Sequence, residues 1–390
     1  MTKESSCSKI RIITRVTAAA CLLSMVLCYK LWLNDRNFPL SPLFDFLPIL
    51  HHPFDLILPV LSGVFLLFII FLRNPQRFIL GFIITVIGLS VFDMNRWQPW
   101  FYQYVLMFFL LIFFNYRCDD VKQQNALVTT FKLMIAAVYF WSGLQKLNPH
   151  FLSDTFPWLM EPITNHLGKD SINHFRFLGY SFPLIEMATG ICLLINSLQR
   201  LAVISVVIMH VFILYSLGPL GHNYNPVVWP WNIAMVIFAL ILFNNEESFT
   251  VTDIRNSFHF HSSKIVLVLF LLMPLFNFFN CWDSYLSHNL YSGNTAGGVI
   301  YVSDSVKMKL PAYLQQYAIG SNNQNQINIK YWCFKETGVP AYPEKRNFDL
   351  VTKKIFDYTN DSANVYFMYT PKLSIKKMGL RSSAPITAPM

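Results

Sequence analysis

Residues 126–150 read ALVTTFKLMIAAVYFWSGLQKLNPH, and this stretch decides the fold class. Its apolar part, 126–145, has the length of a spanning helix, which needs about 20 mostly apolar residues to cross a hydrocarbon core. At Tyr139-Phe140-Trp141-Ser142-Gly143-Leu144-Gln145-Lys146-Leu147-Asn148-Pro149-His150 the apolar run meets a polar loop. The helix delivers a small Ser-Gly pair, then an amide, then an ammonium. Pro149 helps to end it, because proline and the residue before it both disfavour continued helix. A lysine at such a boundary is either an anchor whose ammonium snorkels to the headgroups or an amine in a partly dry pocket, where desolvation makes it a usable base. Both readings stay open at this level.

The rest of the chain has the same character. Of 390 residues, 54% are hydrophobic and 13% charged, against about 25% charged in a soluble domain. Phe (36), Tyr (18) and Trp (9) are abundant, as expected where aromatics belt the bilayer interfaces. The net charge is +9, but Lys and Arg are scattered through short loops and the C-terminal tail. Topology and anionic headgroups account for them, and no basic run interleaved with aromatics marks a nucleic-acid surface. The expected partner is the lipid bilayer, with no nucleic acid.

Apolar length predicts nine spans, at about 13–33, 54–72, 77–93, 101–116, 126–145, 182–196, 200–218, 227–243 and 264–281. Residues 1–12 form a basic arm, and no small-residue cleavage site follows the first apolar run, which is therefore read as a retained helix rather than a signal peptide. With the N-terminus inside, the inner loops hold Arg73, Arg77, Arg117, Lys122, Arg200, Arg255 and Lys264. The outer loops hold Lys30, Arg36, Arg96, Lys146, Lys169 and Arg176. Together with the basic arm, this bias has the sign of the positive-inside rule. It predicts a multi-pass protein of the cell (inner) membrane, with a cytoplasmic N-terminus and an extracytoplasmic C-terminal domain.

Several polar residues interrupt the apolar pattern. Asp93-Met94-Asn95-Arg96-Trp97-Gln98-Pro99-Trp100-Phe101-Tyr102 crowds charges, amides and aromatics into one outer turn. It reads either as an aromatic belt with a local Asp93–Arg96 pair or as a cavity mouth, where Arg96 and Gln98 offer donors to a ligand. Glu186 lies just inside the sixth span, between Pro183 and Gly190, and His210 lies in the middle of the seventh. Ionisable groups in such places are costly unless paired and are functional candidates for that reason. Asn232, inside the eighth span, needs a partner. His51, His52, His150, His166 and His174 show no metal-ligand spacing, and no metal site is assigned.

From 282 the composition turns polar, and period-2 stretches at Gly298–Val302, Ile327–Trp332 and Val365–Tyr369 read as strands. The expected fold is thus an all-α polytopic membrane bundle of about nine transmembrane helices (13–281) followed by a small α+β or mostly β outer domain (282–378). A disordered tail (379–390) ends the chain. Of the seven cysteines, Cys21, Cys28 and Cys192 are read as buried small hydrophobes. Cys281 and Cys333 fall on the same outer side, which leaves a disulfide between them open.

Gly143-Leu144-Gln145-Lys146-Leu147-Asn148 resembles the Gly-Leu-Lys-Lys-Leu-Asp stretch of vitamin K-dependent gamma-glutamyl carboxylases, which share the HTTM (horizontally transferred transmembrane) domain. The likeness extends from about residue 10 to 245 and includes a histidine in a later span, here His210. Arg96-Trp97-Gln98-Pro99-Trp100-Phe101-Tyr102 resembles the Arg-x-Gln-Pro-Trp-x-Tyr pattern of bacterial HTTM and DoxX-like membrane proteins. The resemblance implies an outward-facing pocket for a lipid-soluble ring, a quinone or a reduced vitamin K-like quinol. Lys146 would be the base and His210 a second catalytic residue, with Arg96, Gln98, Trp100, Trp141, Gln145 and Glu186 lining or tuning the pocket. Gln145 and Asn148 replace a lysine and an aspartate of that pattern and alter the local charge. The short outer domain argues against carboxylation of protein glutamates.

Two functional readings follow. One is an HTTM-like protein that binds a quinone-like or lipidic molecule in an outer-leaflet pocket, with lysine-base chemistry related to the carboxylases. The other is a non-enzymatic accessory subunit of a redox or secretion system, partnered by a redox or exported protein. A transporter is disfavoured, because no paired broken helices occur in matching halves.

Overall fold

The structure, a computed structural model, describes residues 3–44, 46–47, 53–167, 176–243, 250–321, 323–359 and 364–374. His51, His52, Lys169, His174 and the segment 379–390 lie outside the described residues.

Among the described residues, six helices are long and apolar enough to cross a membrane: Ser6–Leu27, Phe54–Phe71, Val121–Lys146, Asn196–Leu217, Pro226–Phe243 and His261–Phe279. The other three expected spans are apolar helices of 16, 14 and 12 residues, at Gln76–Val91, Pro99–Ile112 and Ser181–Cys192. The expectation of nine spanning helices is therefore not met by length. At 1.5 Å per residue, a 12-residue helix reaches only about 18 Å. The cause is local. The helices start within two residues of the expected positions but end two to four residues early, at Val91, Ile112 and Cys192, and a turn at Leu193–Ile195 separates the last from the next helix.

Val121–Lys146 is the axis of the bundle. Asp120 caps its start by accepting from the Gln123 amide at 3.1 Å. Its most apolar window is 83% buried, whereas that of Phe54–Phe71 is 17% buried, so one helix is core and the other edge. Gln199–Leu217 shows how an edge helix is built. Leu201, Ile204, Ile208 and Val211 are exposed at helical spacing, while Ala202, Val203, Val206 and His210 turn inward. An apolar outer stripe of that length suits lipid rather than water.

The axial helix and Ser181–Cys192 touch backbone to backbone. A Cβ on Gly143 would lie 2.5 Å from the Met187 nitrogen, and one on Gly190 would lie 2.6 Å from both the Ala136 oxygen and the Phe140 nitrogen. Only glycine allows this approach, the usual device where apolar helices pack without water to drive them together. The helices run antiparallel, so residue 143 meets 183–187 while 190 meets 136–140.

At the N-terminal end of the bundle a disulfide joins Cys7 to Cys118. Beside it Arg11 donates to the Tyr116 carbonyl at 2.8 Å. Cys281 and Cys333 are free, so the pairing left open for them does not form. Cys281 is exposed, whereas Cys333 is buried in the C-terminal core with its Sγ 3.5 Å from Thr337 Oγ1.

At the other end sits a four-stranded antiparallel sheet of β1 (Gly297–Val302), β2 (Ile319–Ser321), β3 (Gln324–Asn328) and β4 (Val365–Thr370), in the order β2-β3-β1-β4. Ile300 pairs with Ile327 on β3 and with Phe367 on β4. Helices Ile329–Thr337 and Lys345–Thr359 close a core of Ile300, Ile327, Trp332, Phe348, Val351 and Ile355. The region is α+β. The alternating stretch expected to continue to Trp332 stops at Asn328, whose side chain accepts from the Tyr331 amide at 3.1 Å and caps a helix instead. Phe38 crosses from the bundle into this core, edge-on to Trp332 with ring centroids 4.8 Å apart.

Candidate functional site

The close approach at Gly143 and Gly190 sets the chemistry of the axial helix's far end. Tyr139, Ser142 and Lys146 recur at i, i+3 and i+7, so they share one helix face. Glu186 projects from the neighbouring helix onto that face. Lys146 Nζ donates to Glu186 Oε1 at 3.0 Å, to Oε2 at 2.8 Å and to Ser142 Oγ at 2.6 Å. The two charged side chains are 13% and 17% exposed, which places the pair in a partly dry setting where charges need partners. A lysine held by both oxygens of one carboxylate presents an ammonium donor. Acting as a base would require it first to pass a proton within the pair.

One and two turns back along the same face lies a second polar group. His210 Nε2 is 2.7 Å from the Tyr139 hydroxyl, and His210 Nδ1 is 2.7 Å from Asn232 Oδ1. Asn232 Nδ2 donates to the Val228 carbonyl at 2.7 Å, which orients the amide with its oxygen toward the histidine. His210 then carries its proton on Nδ1 and accepts from the Tyr139 O–H on Nε2. Asn232 has the partner its position demanded.

Both groups open on one cavity of about 110 Å³, somewhat smaller than the roughly 150 Å³ apolar cavity that admits a benzene ring. Lys146, Glu186, Ser142, Tyr139, His210 and Asn232 form its polar wall. Phe182, Phe212, Ile213, Trp231 and Met235 make most of the remainder apolar. The segment after the last spanning helix closes it with His288, Leu290 and Tyr291. Although the composition shifts at 282, Leu286, Leu290 and Tyr291 pack against the bundle core.

The other sequence-predicted site residues lie elsewhere. Arg96 is wholly buried and does not line the cavity. Its Nε donates to the Leu31 carbonyl at 3.0 Å, and its Nη2 to the Trp32 carbonyl and to Asn34 Oδ1, both at 3.1 Å. Its Nη1 donates to the Leu89 carbonyl at 2.5 Å. Gln98 donates to the carbonyls of Asn95 and Pro340 at 2.9 and 3.2 Å. The expected donors of a cavity mouth are thus spent within the protein: Arg96 ties the turn to the segments at 31–34 and 89, and Gln98 fastens it to Pro340 of the C-terminal region. Trp100 is buried against Phe101 and Tyr104. Trp141 and Gln145 are buried and are not among the lining residues. Asn148, at the position compared with the carboxylase aspartate, is a joint: its Nδ2 donates to the Gln145 and Ser292 carbonyls, both at 2.9 Å.

Tyr139 and Ser142 had a signal, their spacing from Lys146 on one face. His288 had none, since only the folded chain returns it to the bundle. No three His, Cys, Asp or Glu residues gather as a metal set among the described residues. The chain matches no protein-family model, no curated protein and no solved structure.

Proposed function

We propose that this is a membrane protein that holds a quinone-like or other lipid-soluble ring molecule in the cavity beside Lys146. One observation carries the reading: a mainly apolar cavity of about 110 Å³ brings a Lys146–Glu186 pair and a Tyr139–His210–Asn232 chain to one wall. Binding sites for small molecules are mostly apolar with a few convergent polar groups. In this reading Lys146 and Ser142 meet a carbonyl or hydroxyl of the ligand. The Tyr139 hydroxyl, polarised by His210, is the group through which a proton could move. The likeness to the HTTM carboxylases supports the reading through Lys146 and His210, and the ion pair with Glu186 favours an ammonium donor over a free base.

The test is mass spectrometry of lipids and quinones that co-purify with the protein, set against Ile213→Trp, which fills the cavity. A ring molecule enriched with the native protein and lost with Ile213→Trp is expected. The same extract from both sinks the reading.

The orientation proposed is N-terminus inside, with the cavity end and the C-terminal region outside. The positive-inside bias supports it. The Cys7–Cys118 pair then lies on the reducing side, where disulfides rarely persist. The bond therefore counts against this orientation, and thiol labelling of growing cells decides: free Cys7 and Cys118 thiols keep the N-terminus inside, and a bond present without added oxidant puts it outside.

A further inference from the structure

His288 stands apart from the other polar groups of the cavity. It is 1% exposed, it lines the cavity, and neither ring nitrogen has a hydrogen-bond partner among the described residues. Its neighbours are aromatic: Phe270 and Tyr102, with ring centroids at 4.9 and 6.3 Å. Its backbone is left-handed, with φ 57°, uncommon for a residue with a side chain and found most often where something local holds it. Two buried nitrogens without partners are each a desolvation cost that nothing offsets. Histidine in a purely packing role gains nothing over phenylalanine here.

We propose that His288 is the cavity's hydrogen-bonding contact for an uncharged, hydroxyl-bearing ring. The inference deepens the reading of the cavity as a ligand site and rests on it. A neutral imidazole has one donor and one acceptor, the complement of a hydroxyl, which is also one donor with acceptor lone pairs. Burial holds the imidazole neutral by pushing its pKa down to about 3, so an anionic ligand finds no positive charge at this wall. The polar wall at Lys146 is built by helices, whereas His288 comes from the segment that leads into the sheet region, so a ligand touching both would tie that segment to the bundle.

The test uses 4-fluorophenol as the probe and fluorobenzene as the same ring without the hydroxyl. Binding to the full-length protein in nanodiscs is read by fluorine NMR, with empty nanodiscs as background. Native protein should bind the phenol at least tenfold more tightly than fluorobenzene. His288→Phe, which keeps the aromatic packing, should lose that preference. His288→Asn, which suits a left-handed backbone and restores a donor and an acceptor, should recover part of it. Equal phenol affinity in native and His288→Phe protein overturns the role of His288 and leaves the cavity reading standing. No binding of either probe to the native protein overturns both.

Discussion

Two polar, aromatic-rich boundaries look alike in this chain, and the fold uses them in opposite ways. In the Asp93–Gln98 turn the network is closed. Arg96 spends its donors on Leu31, Trp32, Asn34 and Leu89. Asp93 takes Arg36 at 2.5 Å, and Asn95 Oδ1 accepts from the Tyr342 amide at 2.9 Å. In the wall around Lys146 the network is open. Its charges and hydroxyls face a cavity, and His288, which also lines it, has no hydrogen-bond partner among the described residues. A closed network determines how the chain docks on itself, while an open one has capacity left for a ligand. Residue type does not separate the two; whether the paired groups also face a cavity does.

The contrast can be broken first at the turn. Arg96→Ala leaves buried carbonyls unpaired and should cost at least about 3 kcal/mol, seen as a large fall in melting temperature in detergent. A variant that stays as stable as the native protein would make Arg96 a spare donor and erase the distinction. Gly190→Leu should cost about 1–3 kcal/mol through overpacking. It should also weaken probe binding, because spreading the two helices separates Lys146 from Glu186. Stability lost with binding intact would unlink the helix contact from the cavity. The smallest stability effect is expected for the double change Lys146→Met with Glu186→Leu. Replacing a buried ion pair by apolar side chains is often neutral, so the melting temperature should hold to within about 1 kcal/mol of stability while retention of the co-purified ring molecule is lost. If instead the double variant unfolds, the pair is structural and the wall resembles the turn.

Much of the bundle was legible from local pattern, since apolar length and helical spacing are properties of consecutive residues. The limits of that legibility also have physical causes. The 16-, 14- and 12-residue helices end two to four residues before their apolar runs do, because the chain turns at Phe92, Phe113 and Leu193, which hydropathy alone does not see. Asn328 ended a strand that its neighbours would have continued, because its side chain caps the next helix. Cys281 and Cys333 share a side in the topology, but only three dimensions put one at the surface and the other in a core.

The stretch 139–150 by itself determined that a charged side chain would sit where an apolar helix ends, and the spacing of Tyr139, Ser142 and Lys146 determined that they share a face. The tertiary structure alone decided what that face meets. Gly143 and Gly190 let a second helix bring Glu186 within 2.8 Å of Lys146, a third and fourth supplied His210 and Asn232, and a segment about 140 residues later brought His288 back. Contacts between distant segments depend on which backbones can approach and which polar groups are already satisfied, and neither is a property of any single stretch.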